Sequence, residues 1–184
     1  MFLGIDNAND GAACLLDSNR RLVICISWKY VIRKKKKWFD VDIYREGKKL
    51  SIVIDRNFRL LGILIYKNIK PYIVNDIHIA IEDTFFKSNM RTCITLTKNN
   101  TYVACILEHL FKTEIQWVMP SSWRSSLKLK KAKRSVAKQL SLDYIPNEVG
   151  DLRNAMSILG ELDHITDSAG IALHLIIQGR YGKK

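Results

Sequence analysis

Several features that would assign a protein to a particular class are absent from this sequence. Its four cysteines form no CxxC pair and no Cys/His cluster with zinc spacing, so we expect reduced, mostly buried thiols and no disulfide framework. No apolar run approaches the roughly 18–20 residues that span a bilayer. No basic segment precedes the first apolar run, as it would in a signal peptide. We therefore expect a soluble intracellular protein, cytoplasmic and without a membrane partner.

Acidic residues are few compared with basic ones. The 184 residues include 30 Lys and Arg but 18 Asp and Glu, which gives a net charge of +12. An excess of this size indicates a polyanionic partner, with nucleic acid ranked before an anionic membrane surface. The length is sufficient for one domain with a substantial core.

The apolar pattern predicts strands first, and then strands that alternate with helices. The first 55 residues contain the two strands of a hairpin, a third strand and a further strand-like run. The later segments are predicted helices at 58–69, 92–111, 130–142 and 161–177, and predicted strands at 77–82 and 113–119. This order predicts an α/β fold in which a mixed sheet carries helices on its faces. We expect a single domain over residues 1–184.

A strongly basic segment follows the third predicted strand. Its consecutive cations and the aromatic residues around them are Arg33, Lys34, Lys35, Lys36, Lys37, Trp28, Tyr30, Trp38 and Phe39. Cations suit contacts with phosphates, and aromatic rings can stack on bases. We therefore predict a basic hairpin insertion around residues 28–50 that binds nucleic acid. A solvated charged loop is the alternative.

Acidic residues end two of the predicted strands, at Asp6 and Glu82. Burying an unpaired carboxylate is costly, so each needs a turn hydrogen bond, a basic side chain or a divalent cation. The final predicted helix carries Asp163, His164 and Asp167 near its start, and the i, i+3 and i, i+4 spacings place them close to one helix face. If that helix crosses the sheet, these groups converge at the strand ends.

The predicted cluster is rich in oxygen and would bind Mg²⁺ or Mn²⁺, and its imidazole suits Mn²⁺ slightly better. Two ions about 3.5–4 Å apart would let a phosphodiester approach the carboxylates, one activating water and the other stabilising the departing oxygen. Taken singly, Asp6 could cap its turn, Glu82 could pair with a lysine and Asp163 could cap its helix. Their joint placement favours the metal site.

These residues resemble the motifs of RuvC-type Holliday junction resolvases, in the RNase H-like superfamily. Gly-Ile-Asp at residues 4–6 matches the family's first strand, and Ile-Ala-Ile-Glu at 79–82 matches its second acid. Residues 164–172 resemble its final D/H-x-x-D-A-x-x-x-A helix, and residues 118–136 resemble its strand, proline and lysine-bearing helix. The resemblance covers nearly the whole chain, and the order and spacing of the motifs are its specific part.

Three departures separate the chain from many members of that family. Asn-Ala-Asn at residues 7–9 replaces the small turn that usually follows the first acid, and His164 stands where many members have a carboxylate. The basic segment is longer than the hairpin of compact bacterial members. The chain could therefore be a phage, viral or organellar relative, acting in the host cytoplasm if a phage or virus encodes it.

The resemblance implies an RNase H-like mixed five-stranded sheet with helices on both faces. It also implies a homodimer that nicks two strands of a four-way DNA junction symmetrically, and that recognises the junction mainly by its shape and phosphates. Asp6 would be the bridging metal ligand, Glu82 and Asp167 further ligands, and His164 a ligand or base, with Asp163 as the alternative to His164.

Basic residues complete the site that the resemblance implies. Arg124 and Lys133 fall where the family places cations near the scissile phosphate, and Lys133, or Lys131 beside it, would stabilise the transition-state charge. The implied DNA-binding residues are Arg33, Lys34, Lys35, Lys36, Lys37, Arg124, Lys130, Lys131 and Lys133.

Other functions fit parts of the same pattern. An RNase H-like nuclease could act on RNA–DNA hybrids or flaps, and a protein of the same fold could bind branched DNA without cutting it. The sugar-kinase and actin ATPase branch also has a first strand that can read Gly-Ile-Asp. That branch needs a duplicated domain and Gly-rich phosphate loops, for which this chain has no room.

Overall fold

The computed structural model describes residues 1–83, 90–129, 134–160 and 163–181. The strands in these ranges are β1 (Phe2–Asp6), β2 (Gly11–Leu16), β3 (Leu22–Arg33), β4 (Lys36–Arg45), β5 (Lys48–Asp55), β6 (His78–Glu82) and β7 (Ile115–Val118). They form one mixed sheet in the order β5-β4-β3-β2-β1-β6-β7. In this sheet β1, β6 and β7 are parallel neighbours, and the other pairs are antiparallel.

The described helices are α1 (Phe58–Ile69), α2 (Met90–Phe111), α3 (Pro120–Ser126), α4 (Arg134–Glu148), α5 (Leu152–Leu159) and α6 (Asp163–Tyr181). A short 3₁₀-helix, Lys70–Tyr72, follows α1. None of the helices in the described ranges combines the length and the apolar character needed to cross a bilayer.

The predicted α/β class is confirmed, but the number of strands differs. Five strands were expected from the resemblance, whereas the described residues form a seven-stranded sheet. The additional strands are β4 and β5, which extend the sheet beyond β3 as an antiparallel meander. In β4 the side chains of Phe39, Val41 and Ile43 occupy alternate positions and are buried. This region therefore contributes to the hydrophobic core.

The sheet has helices on both faces, as expected. In β1, Leu3 and Ile5 belong to a hydrophobic core that also includes side chains of α1 and α2. Successive side chains of a strand point to opposite faces, so Gly4 and Asp6 point to the other face, where α6 contacts β1 and β2. The last residue of β1 is therefore directed toward α6.

Gly4 allows α6 to lie directly on β1. A Cβ atom at Gly4 would be 2.1 Å from the carbonyl oxygen of Ser168 and 2.5 Å from the backbone nitrogen of Ala172. No side chain fits within these distances, so the two backbones are in contact at this point. This close approach brings the first turns of α6 to the end of β1.

Candidate active site

Asp6 and Glu82 lie side by side at one edge of the sheet. β1 and β6 are parallel, and Ile5 lies opposite Ile81. The next residue in each strand is its last, so Asp6 and Glu82 end the two strands at the same level. Asp6 is buried and Glu82 is partly buried. The structure thus brings together the two acids that the sequence places at strand ends.

The first turn of α6 adds an imidazole to this pair. The Nδ1–H of His164 donates a hydrogen bond to Oδ2 of Asp6 over 2.6 Å. Asp163 forms an ion pair with Lys138 of α4 instead, and its side chain is 43% exposed. Of the two residues that the sequence left as alternatives, His164 is therefore the one that contacts Asp6.

Glu82 is held by a tryptophan. The indole Nε1–H of Trp123 donates to Oε1 of Glu82 over 3.0 Å, and Trp123 is completely buried in α3. A buried indole needs an acceptor for its N–H, and the carboxylate supplies one. The side-chain amide of Asn100 in α2 also donates to the backbone carbonyl of Glu82, at 3.3 Å. Both contacts fix the end of β6 from the helical side.

Arg124, the residue after Trp123, holds the third acid. Its Nη2 donates to Oδ2 of Asp167 over 3.0 Å, and the arginine side chain is 16% exposed. Its guanidinium also lies over the Trp123 ring, 4.4 Å from the ring centroid. The resemblance implies a phosphate contact for Arg124, and in the structure its guanidinium lies against the carboxylate of Asp167. Two consecutive residues of α3 therefore hold Glu82 and Asp167.

Two carboxyl groups of the site, those of Glu82 and Asp167, have raised pKa values. Burial, followed by the charge of Asp6, raises the pKa of Glu82 to about 8, against the lowering effect of the Trp123 hydrogen bond. Burial raises the pKa of Asp167 to about 6. The positive charge of Arg124 opposes this rise, and the negative charge of Asp6 adds to it. A bound cation stabilises carboxylates that lie close together in a partly buried site, because its positive charge favours their ionised forms.

These shifts predict that the metal-free protein loses stability as the pH rises. The folded pKa values of Glu82 and Asp167 lie above their ordinary values, so the folded state holds more protons than the unfolded chain between about pH 4 and 8. The stabilisation is complete below that range and lost as the pH rises through the folded values. We expect a loss on the order of a few kcal/mol, because each pKa unit corresponds to about 1.4 kcal/mol.

Urea unfolding in chelator at pH 5, 6, 7 and 8 checks this expectation. Glu82→Gln should remove the larger part of the pH dependence, since glutamine has the hydrogen-bonding shape of the protonated acid without its titration. Asp163→Asn, on the exposed side of the same region, is the control and should leave the slope unchanged. An equal slope in Glu82→Gln and wild type would contradict the assignment of the shift.

The chemical types of the side chains at this site suit a hard divalent cation. Carboxylates and an imidazole are ligand types that Mg²⁺ and Mn²⁺ take. Within the part of the chain that the structure describes, no three such donors are grouped closely enough to hold an ion as they stand. The acids are instead bound to protein partners, in the pairs Asp6–His164, Glu82–Trp123 and Asp167–Arg124. A bound cation would replace some of these contacts.

Comparison with solved structures relates this arrangement to a known fold. A Thermus thermophilus RuvC structure matches over 98% of this chain and 95% of its own, with a TM-score of 0.50 and 11% sequence identity. The chain has a RuvC-like fold. No protein-family model matches the sequence, and no curated protein matches it either.

Two further solved structures match this chain over nearly its whole length. Thermus thermophilus RuvC in complex with a Holliday junction substrate is 12% identical over 98% of this chain and 94% of its own, with a TM-score of 0.48. A Fowlpox virus resolvase in complex with substrate Holliday junction DNA is 12% identical over 100% of both chains, with a TM-score of 0.46.

The basic segment of this RuvC-like fold forms the tip of the β3–β4 hairpin. Arg33 pairs with Lys36, which leaves Lys34 and Lys35 as a two-residue turn. Both turn residues have positive φ, 48° and 64°, as the turns that favour tight hairpins require. The five cations of residues 33–37 are exposed. The other predicted DNA-binding lysines, Lys130, Lys131 and Lys133, lie outside the described residues.

Trp123 and Asn100 both donate hydrogen bonds to Glu82, but the sequence analysis does not predict either contact. A buried tryptophan is expected to need a hydrogen-bond acceptor for its indole N–H. That expectation does not say which acceptor is used, because Trp123 and Glu82 are 41 residues apart. Asn100 lies within a long helix and has no local pattern that would mark it.

Proposed function

We propose that the chain is a divalent-metal-dependent endonuclease that resolves four-way DNA junctions by paired, symmetric nicks. The observation that carries this proposal is that Asp6 and Glu82 end neighbouring parallel strands, while α6 places His164 against Asp6 and the adjacent α3 residues Trp123 and Arg124 hold Glu82 and Asp167. The RuvC-like fold and the net charge of +12 support it. We further propose that the whole chain acts as one nuclease domain and that two copies form a homodimer, one for each cut strand.

Asp6, Glu82 and Asp167 would hold the two Mg²⁺ or Mn²⁺ ions that this activity requires. Bound ions of this kind lower the pKa of a water and stabilise the negative charge of a departing oxygen. The hydrogen bond between Nδ1 of His164 and Oδ2 of Asp6 holds the imidazole beside the proposed ligands. We propose that His164 acts as a ligand or as a general base.

Basic residues would place the phosphate. Arg124 lies within the acidic cluster, and a guanidinium that meets a phosphate there can bind it through two parallel hydrogen bonds. We propose that Arg124 exchanges its carboxylate partner for the scissile phosphate when DNA binds. Lys133 or Lys131 would neutralise the remaining transition-state charge.

The assay that tests the function compares labelled four-way junction, flap, RNA–DNA hybrid and plain duplex. Each substrate is incubated with Mg²⁺, with Mn²⁺ or with chelator, and the nicks are mapped on every strand. Symmetric paired nicks on the junction alone, in either metal, are the expected result. Cutting confined to the hybrid or the flap would favour an RNase H-like nuclease of different specificity.

A non-cleaving, branched-DNA-binding protein is the second candidate. It is favoured by one observation, that each acid of the cluster already has a protein partner and no preformed metal arrangement exists among the described residues. Tight junction binding without cutting in either metal would support this candidate over the nuclease.

Metal binding can be tested without any DNA. Mn²⁺ at about 100 times its dissociation constant should stabilise the protein by about 2.7 kcal/mol, measured by thermal unfolding. The increase should be larger at pH 8 than at pH 5, because the ligands must be deprotonated to bind a cation, and Glu82 has a pKa of about 8.

Two variants show whether the stabilisation arises at this site. Asp167→Asn should remove most of it, whereas Asp163→Asn, whose partner is Lys138, should keep it. Equal stabilisation of Asp167→Asn and wild type would exclude the proposed ligand set.

A further inference from the structure

The tip of the β3–β4 hairpin is a two-stranded ribbon that no other strand flanks. On one side, β2 pairs with β3 only as far as Trp28. On the other side, β5 pairs with β4 only as far as Trp38, which lies opposite Asp55. Within the sheet, residues 32–37 therefore pair as strands only with one another, and at their base the backbone N–H of Arg56 donates to the carbonyl of Lys37 over 3.1 Å. We call this segment the free ribbon.

The free ribbon projects from the same edge of the sheet as the acids. β3 runs parallel to β1, because each is antiparallel to β2. Ser27 lies level with Ala12, which is opposite Asp6. Six residue-to-residue steps of about 3.3 Å lead from Ser27 to Arg33, so the tip extends about 20 Å past the level of Asp6.

The surface of the free ribbon is chemically suited to a DNA groove. Four consecutive lysines at residues 34–37 are exposed. Arg33 is partly neutralised by Asp40, 2.5 Å away. Ile32, beside these cations, is a large apolar side chain that is 63% exposed. Lysines can reach phosphates on both sides of a groove, and an exposed isoleucine can contact the thymine methyl groups on its floor.

Contacts at its base fix the ribbon relative to Asp6. The turn after Asp6 is bound to β3, where the backbone N–H of Tyr30 donates to Oδ1 of Asp10 over 2.7 Å. Arg56, which follows β5, donates to Oδ1 of Asn9 over 2.8 Å and lies over the Tyr30 ring. The segment after Asp6 and the base of the ribbon are therefore held as one unit.

We propose that the free ribbon enters the major groove of a DNA arm within about six base pairs of the phosphate at the acids. The major groove is about 12 Å wide and admits a two-stranded ribbon. A reach of about 20 Å covers at most about six base-pair steps of roughly 3.4 Å. This inference rests on the proposed function for the position of the cut, and adds a second, groove-reading contact at a fixed distance from it.

Dimethyl sulfate probing of a bound junction tests this placement, because it reports access to guanine N7 in the major groove. The ribbon variant is Lys34→Asn, Lys35→Gly, Lys36→Ser and Lys37→Thr, which keeps residues that favour the positive-φ turn. The matched control removes four exposed lysines from the opposite edge of the sheet, namely Lys48, Lys67, Lys70 and Lys112. Binding is measured in chelator, and the nick is mapped separately with wild type in Mg²⁺ and Mn²⁺.

Wild type and the control should protect guanine N7 within about six base pairs of the nick, and the ribbon variant should lose that protection. The ribbon variant should also lower the slope of log affinity against log salt by up to about 3.6, or about 0.9 for each phosphate contact. Absence of the protection in wild type, or its persistence in the ribbon variant, would overturn the proposal.

The two proposals fail separately. Nicking without ribbon-dependent protection would overturn the ribbon contact alone. Ribbon-dependent protection within the same distance of the branch, with no nick in either metal, would support the ribbon and overturn the nuclease.

Discussion

Replacing Asp6 with asparagine should abolish cutting while junction binding survives. Asp6 is the acid that contacts His164 and whose charge raises the pKa of both Glu82 and Asp167. Asparagine keeps the size of the side chain and an oxygen that can accept from His164, but it removes the charge that a cation needs. We expect the nicking rate to fall at least about a thousandfold, the upper end of what one electrostatic group costs.

The measurement is single-turnover nicking of a labelled four-way junction, with binding followed separately in chelator. Asp163→Asn serves as the control, because this acid lies in the same turn of α6 but pairs with Lys138 at the surface. It should nick within a few-fold of wild type. Turnover in Asp6→Asn equal to that of the control would show that the metal assignment is wrong.

Gly4→Ala should destabilise the fold and separate the acids. The added methyl group would meet the backbone of α6 at 2.1 Å and 2.5 Å, and backbone atoms cannot move aside as a flexible side chain can. Overpacking of a core typically costs about 1–3 kcal/mol, and we expect the upper end of that range. Because α6 carries His164 and Asp167, its displacement from β1 should also slow nicking well below the wild-type rate.

Gly179→Ala is the matched substitution for Gly4→Ala. Gly179 lies in the same helix, but nothing stands within 4 Å of the position a Cβ would take. Alanine there should raise the free energy of unfolding by up to about 1 kcal/mol, since glycine is a weaker helix former. Urea unfolding compares the two variants. Equal stability of Gly4→Ala and wild type would contradict direct backbone contact between α6 and β1.

The convergence of Asp6, Glu82 and the start of α6 can be predicted from the sequence because it follows from general rules. Apolar runs mark β1 and β6, and parallel neighbours end at the same edge of a sheet. What these rules do not fix is the rotation of α6 about its axis. That rotation depends on the contact of Gly4 with Ser168 and Ala172, and it decides that His164 and not Asp163 meets Asp6.

Other features depend on partners that are distant in the sequence. Strand β4 carries a period-two pattern of Phe39, Val41 and Ile43, but its charged neighbours make it resemble a surface insertion. The hydrogen bond from Trp123 to Glu82 joins elements whose packing is set by the rest of the core. The sequence pattern assigns no firm helix to residues 146–160, whereas in the structure α4 continues through Pro146 to Glu148 and α5 follows it. Local propensity disfavours a helix there, and tertiary packing overrides it.

The most direct test of the metal site is a crystal of the protein grown with Mn²⁺ and measured for anomalous scattering. Peaks bounded by the carboxylates of Asp6, Glu82 and Asp167, with His164 beside them, are the expected result. Peaks at Asp163 alone, or no peak at the acidic edge while the acids keep their protein partners, would contradict the account.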